Sequence, residues 1–216
     1  MKILVLDNYD SFTYNLVHLL REITSCQVDV YRNDEITLDE VEEYDKILLS
    51  PGPGIPEEAG IMKELIEKYA PSKSIFGVCL GMQGIAEVFQ GKLTNLKKVY
   101  HGKESEITIV DQSETLFRDF PKNMTVGRYH SWAVDPDSLP GELIVTSKDQ
   151  KGIVMSLRHQ TYDVRGVQFH PESVMTPEGK KILQNWLQTG KQRISLPHSA
   201  STDFNMQSMK RGYLFC

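Results

Sequence analysis

"IFGVCLGMQG", residues 75 to 84, sets a short apolar run against a cysteine held between two glycines. The run "SIFGV" (74 to 78) reads as a buried strand, and "LGMQGIAEVF" (80 to 89) reads as a helix starting directly behind Cys79. Gly77-Val78-Cys79-Leu80-Gly81 thus has the form G-x-C-x-G at a strand-to-helix turn, the thiol version of a nucleophile elbow. A turn that sharp leaves no room for side chains two positions before and two after the nucleophile, and glycines stand at both places. It also sets the sulfur beside a helix N-terminus, whose free amides and dipole favour an anion. A lone cysteine is more often a small packed residue, so these ten residues leave both readings open. A nucleophile needs a base, and the base needs a group to orient it.

Outward from this stretch, the first half of the chain alternates β-rich runs with helical patterns, the signature of a parallel sheet covered on both faces. "KILVLD" (2 to 7), "QVDVY" (27 to 31) and "KILLS" (46 to 50) read as strands. "SFTYNLVHLLREI" (11 to 23) reads as a helix with Ser11 as its cap and Phe12, Leu16, Leu19, Leu20 and Ile23 on one face. A short helix is expected around Leu38 to Glu43, and another over "IMKELIEKYA" (61 to 70). After about residue 92 strand-like runs take over at 106 to 110, 124 to 129, 142 to 147, 153 to 159 and 164 to 170, and a last helix covers about Glu178 to Gln188. The fold class is therefore α/β, with antiparallel strands added to a parallel core. Residues 1–190 form one domain, and 191–216, rich in Ser, polar and basic residues, read as an irregular tail.

At 216 residues, 40% hydrophobic and 25% charged with a formal net charge of −5, the composition is that of an ordinary globular protein and carries no basic signature of a nucleic-acid binder. No run approaches the roughly 18 apolar residues that span a bilayer. The amino terminus turns polar at Asp7, too soon for a signal peptide, so a cytoplasmic protein with no membrane partner is expected. Cys26, Cys79 and Cys216 form no CxxC pair, and the six histidines show no metal-ligand spacing, so no disulfide framework and no metal are expected.

Two distant segments bear on Cys79. "VQFHPES" (167 to 173) places His170 at the end of a β-patterned run, with Pro171 keeping it out of helical geometry. If the chain stays extended there, His170 and Glu172, two apart, project to one side as a base and its orienter. Taken singly, His170 reads as a structural histidine and Glu172 as a solvated charge. At a strand end opposite a glycine-flanked cysteine they read as a site, because ligands of open α/β sheets bind beyond the carboxyl ends of the strands. "SPGPGIPEEAG" (50 to 60), with three prolines and three glycines in eleven residues, is neither helix nor strand by pattern. It is a stiff loop whose amides suit an oxyanion hole.

These pieces resemble the class I (triad) glutamine amidotransferases, with a flavodoxin-like single-domain fold. "GVCLGMQ" is similar to the family's nucleophile segment, "FHPES" to its histidine and glutamate segment, and "SPGPGIPEEAG" to its glutamine-binding loop. "LDNYDSFTYNL" (6 to 16) narrows the likeness to the glutaminase subunits of anthranilate and aminodeoxychorismate synthases, and "GRYHSWAV" (127 to 134) resembles their glutamine-contact strand. The resemblance implies Cys79 as nucleophile, His170 as base and then acid, and Glu172 as orienter. It implies the Gly52 and Leu80 amides as oxyanion donors, and Gly52, Pro53, Gly54, Gln83, Ser131 and Trp132 around L-glutamine. It further implies no cofactor in this chain and a chorismate-using synthase as partner, that partner using magnesium. Met82 stands where the family often has His, and Trp132 where Leu is usual. A stand-alone γ-glutamyl thiol hydrolase and a non-catalytic binding subunit are the competing readings.

Overall fold

The computed structural model describes residues 1–97 and 99–189, so the expected tail lies outside the described residues. Strand β1 (Lys2–Asp7) leads to helix α1 (Thr13–Ile23), then β2 (Gln27–Arg32), β3 (Lys46–Leu49), α2 (Met62–Tyr69), β4 (Ser74–Val78) and α3 (Leu80–Val88). The second half holds β5 (Leu93–Asn95), β6 (Lys103–Ile109), β7 (Asn123–Arg128), β8 (Trp132–Val134), β9 (Leu143–Asp149), β10 (Val154–His159), β11 (Val164–Val167) and α4 (Gly179–Gln188). Nine strands form one sheet in the order β2-β1-β3-β4-β11-β10-β9-β6-β7, and β5 pairs with β8 in a small second sheet. From β2 to β11 neighbours run parallel; from β11 outward to β7 they are antiparallel. The strand order reverses beside β1 and β3, and the carboxyl ends of β3, β4 and β11 lie side by side, where such sheets place their ligands.

Period-two alternation in β1 sorts the core into two faces. Ile3 and Val5 join Leu16, Val17 and Leu20 of α1 and Leu183 and Trp186 of α4. Leu4 and Leu6 join Leu65 and Ile66 of α2 and Ile85 of α3. Burial of each such side chain is worth roughly 2 kcal/mol. That outweighs the absence of a side-chain cap on α1, whose N-cap is Phe12 and not Ser11 as the sequence suggests. The first turn is tied down instead by acidic residues: Asp7 Oδ1 accepts from Thr13 Oγ1 at 2.7 Å and Asp10 Oδ2 from the Phe12 amide at 3.0 Å. Far from that end, buried Lys46 donates from Nζ to Ser74 Oγ at 2.8 Å and to the Trp186 and Thr189 carbonyls at 3.1 Å. It thereby fixes the C-terminus of α4 to the amino end of β3 and β4, a favourable place for a cation.

Three further expectations change in detail. The helix around 38 to 43 is a single 3-10 turn, Glu40–Glu43, because only Val41 of it reaches the core. The 50 to 60 loop contains a 3-10 turn, Pro56–Glu58, which begins on a proline whose missing N–H costs nothing there. Strand β11 ends at Val167, so residues 168 to 170 lie beyond the ladder. Among the described residues no helix is long and apolar enough to cross a membrane.

Candidate active site

Cys79 sits between β4 and α3 at φ +52°, ψ −101°, a conformation few side chains adopt. The surrounding contacts impose it. A Cβ on Gly77 would lie 2.5 Å from the Gly81 carbonyl carbon, and one on Gly81 would lie 2.6 Å from the Leu49 carbonyl oxygen. The elbow read from the sequence thus has its physical reason: backbone passes where side chains would be. The Cys79 amide donates to the Val167 carbonyl at 2.8 Å, locking the turn to β11, and the residue is buried at 6% exposure.

The "HPES" segment departs from expectation. The Ser173 amide donates to the His170 carbonyl at 3.2 Å, so residues 170 to 173 close a turn in place of an extended chain. Proline suits the second position of such a turn. His170 and Glu172 still meet, with Nδ1 2.6 Å from Glu172 Oε1 and both side chains almost wholly buried. A carboxylate only accepts, so Nδ1 carries the proton and Nε2 is left toward Cys79. Nε2 is buried and makes no hydrogen bond in this resting geometry, as is common before substrate tightens a catalytic contact. Burial pulls the His170 pKa down, but Cys79 and Glu172 together outweigh it and hold it well above the ordinary imidazole value. Tyr129 at 4.8 Å and Phe12 at 6.4 Å, both nearly edge-on, confine the ring.

The 50 to 60 loop packs against the elbow. A Cβ on Gly52 would meet the Asn8 carbonyl oxygen at 2.6 Å and Leu80 Cδ2 at 2.7 Å, so Gly52 and Leu80 adjoin. Asn8 holds the loop from below: its amide donates to Ser50 Oγ at 2.8 Å and its Nδ2 to the Ser50 carbonyl at 2.9 Å. Pro53, Gly54 and Leu80 line a recess of about 240 Å³ together with Asn8, Tyr9, Asn33 and Glu58. A larger groove of about 790 Å³ lies at the opposite, amino-terminal end of β3 and β4, near Lys46 and Thr189. It holds none of the chemistry described above, so size does not locate the site.

On the far side of Cys79, Gln83 is 3% exposed, and its amide serves protein groups. Nε2 donates to the Trp132 carbonyl at 3.0 Å and to Gln168 Oε1 at 3.2 Å. Gln168 in turn donates from Nε2 to Cys79 Sγ at 3.5 Å. The Ser131 carbonyl accepts from Leu96, which seats β8 against β5. The Trp132 carbonyl also lies 2.7 Å from His130 Nδ1. Met82 is fully buried and packs against Gly166. Among the described residues no cluster of three or more His, Cys, Asp or Glu is arranged to hold a metal ion.

Sequence reasoning missed Gln168, Asn8, Ser50, Arg128, His130 and the aromatic pair Phe12 and Tyr129. Each lies inside or beside a quoted motif. Apart from Phe12, which helical spacing placed on the core face of α1 and which instead caps that helix at 39% exposure, none carries a spacing signal of its own, because its partners come from other segments.

The family model for glutamine amidotransferase class-I matches residues 4–189. The chain is 45% identical over 194 residues to the aminodeoxychorismate/anthranilate synthase component 2 of Bacillus subtilis, covering 89% of this chain and 98% of that one. It is 46% identical over 187 residues to the aminodeoxychorismate synthase component 2 of Escherichia coli, covering 86% and 98%. The solved structure of a glutamine amidotransferase from Thermotoga maritima superposes with a TM-score of 0.70 at 17% identity, over 87% of this chain and 96% of that one, a likeness of fold. With its sheet order, its cysteine elbow and these relatives in view, the chain belongs to the class I glutamine amidotransferases.

Proposed function

We propose that this chain is the glutaminase subunit of a chorismate-aminating synthase, hydrolysing L-glutamine and passing ammonia to its partner. The observation that carries the reading is His170, tied to Glu172 at 2.6 Å and turned toward a cysteine on a strained elbow. In this mechanism His170 Nε2 takes the proton of the Cys79 thiol, the thiolate attacks the side-chain amide carbon of glutamine, and the carbonyl electron pair moves onto oxygen. The Gly52 and Leu80 amides receive that oxyanion; such donors contribute about 3 to 4 kcal/mol each in other acyl-transfer sites. As the tetrahedral species collapses, His170 gives its proton to the departing nitrogen, and ammonia leaves behind a γ-glutamyl thioester. Water, deprotonated by the same imidazole, opens the thioester and releases glutamate. Glu172 holds the ring through both transfers. These steps use only water and groups of this chain, and magnesium, on this reading, belongs to the synthase partner.

Ammonia lost to water would be protonated and wasted, so the site needs a covering partner. The mouth of the site supports one. Phe12 lies 5.7 Å from Tyr129, His101 lies 6.3 Å from Tyr129, and Val174, two residues past Glu172, is 95% exposed. An apolar rim around a reactive opening is the surface a protein partner covers. The names of the similar bacterial proteins, components of aminodeoxychorismate and anthranilate synthases, support a chorismate-using synthase in that place.

Treatment with 6-diazo-5-oxo-norleucine, a glutamine-like electrophile, tests the reading. One adduct is expected on Cys79, slowed by added glutamine. Modification elsewhere, or none in the presence of the synthase, would contradict it.

A further inference from the structure

Arg128, at the end of β7, is 1% exposed although charged. Its Nη1 donates to Asp149 Oδ2 at 2.7 Å and its Nε to His130 Nε2 at 3.1 Å. The guanidinium lies 3.6 Å over the Tyr100 ring, which also stacks on His130 at 5.5 Å. His130 Nδ1 is 2.7 Å from the Trp132 carbonyl. None of these residues touches the reacting atoms, and the proposed mechanism uses none of them.

The direction of every link follows from groups that only donate or only accept. Arginine only donates, so His130 Nε2 accepts and the ring proton sits on Nδ1, where it is given to the Trp132 carbonyl. That carbonyl only accepts, so the Gln83 group facing it is Nε2. Gln83 Nε2 also faces Gln168, whose near atom must then be Oε1. This leaves Gln168 Nε2 toward Cys79 Sγ. Turned over, the Gln168 amide would press an oxygen against a sulfur that must become an anion.

We propose that Arg128 and His130 are positioning residues for glutamine hydrolysis: by fixing the His130 tautomer they pin the Trp132 carbonyl and, through Gln83, aim the Gln168 amide at Cys79. The inference rests on the proposed function and deepens it. A buried arginine with three polar or aromatic partners is costly as mere packing. Here its charge and its fork decide which imidazole nitrogen carries the proton. Asp149 compensates the guanidinium, which keeps the arrangement neutral at its outer end.

Two amide variants, each matching one ring nitrogen, separate positioning from packing. Asn at position 130 sets an amide N–H near the place of Nδ1 and keeps the bond to Trp132, whereas Gln sets its amide near Nε2 and meets only Arg128. With the synthase present, His130→Asn should retain glutamine-dependent kcat/KM within about threefold, and His130→Gln should lose about ten- to a hundredfold, as a misplaced catalytic shell does. Synthesis from added ammonia should be equal in both. The alkylation rate of Cys79 by iodoacetamide should likewise separate the two variants. Equal effects of Asn and Gln on both readouts, with the wild type turning over glutamine, would overturn the relay. A wild type that turns over no glutamine while alkylation still separates the variants would overturn the function and keep the relay.

Discussion

Ser50 Oγ donates to the carbonyl of Pro51 at 2.7 Å while accepting from the Asn8 amide at 2.8 Å. In a trans peptide the C=O and the N–H point opposite ways. Pinning the Pro51 carbonyl on the Ser50 side therefore turns the Gly52 N–H away from it, fixed before any charge develops. Under the proposed mechanism this N–H is an oxyanion donor, and Ser50 is what presents it.

Ser50→Ala frees that peptide and leaves the Asn8 amide unpaired. We expect kcat for glutamine to fall about tenfold with little change in KM, since the interaction belongs to the transition state. A stability loss of about 1 to 3 kcal/mol for the buried donor is expected beside it. Steady-state kinetics with the synthase, together with urea unfolding, check both. An unchanged kcat would show that the loop holds its shape without Ser50.

The elbow stores strain at Cys79, whose φ is +52°. Such positions cost on the order of 1 to 3 kcal/mol for residues other than glycine. Cys79→Gly should therefore be more stable than Cys79→Ala by about 1 kcal/mol in urea unfolding, although both lack the thiol. Gly81→Ala should be destabilised by about 2 kcal/mol or more, its new methyl meeting the Leu49 carbonyl at 2.6 Å. Equal stability of the two Cys79 variants would remove the strain from the account.

Two of the buried histidines, His130 and His170, are shifted in opposite senses. Burial first, then the charge of Arg128 with that of His170, lowers the His130 pKa to about 4, against the contrary pull of the Trp132 carbonyl and Asp149. Its contribution to stability is present above about pH 6.5 and is lost as the pH falls toward about 4, roughly 3 kcal/mol in all. His170 is raised, so its contribution is full below the unfolded value and is lost as the pH rises through its elevated folded value. Imidazole NMR titration should show His130 neutral through the neutral range and His170 titrating above an ordinary imidazole. Glu172→Gln should bring the His170 midpoint down. Ordinary midpoints for both rings would contradict the electrostatics described.

Much of this was legible in the chain because the signals were local. The elbow announces itself through Gly77 and Gly81, and β1 through its unbroken apolar run. His170 and Glu172 were found by spacing, although the geometry joining them is a turn at Pro171 and not an extended strand. The chain's own spacing could not announce Gln168, His130 or Arg128. Each is a polar residue in or just past a β-patterned run, and its meaning comes from Cys79, Gln83, Trp132 and Asp149, which arrive from elsewhere. The pairing of β5 with β8 was equally invisible, since three-residue strands carry too few positions to show a period.

The apolar mouth yields a prediction about association. Val174 is 95% exposed beside the site, and a carboxylate there would have to be desolvated when a partner covers it. Val174→Asp should weaken the complex with the synthase by at least about tenfold. Labelling of Cys79 by 6-diazo-5-oxo-norleucine at saturating partner should persist. Sedimentation or titration calorimetry reads the affinity, and wild-type affinity in the variant would move the partner surface elsewhere.

On the proposed function, Cys79 releases nitrogen from glutamine for a partner enzyme. The most direct measurement is product formation by the synthase complex carrying Cys79→Ala, assayed once with glutamine and once with ammonia. The glutamine-dependent rate should be lost and the ammonia-dependent rate preserved. Glutamine-dependent synthesis that survives the substitution would contradict that function.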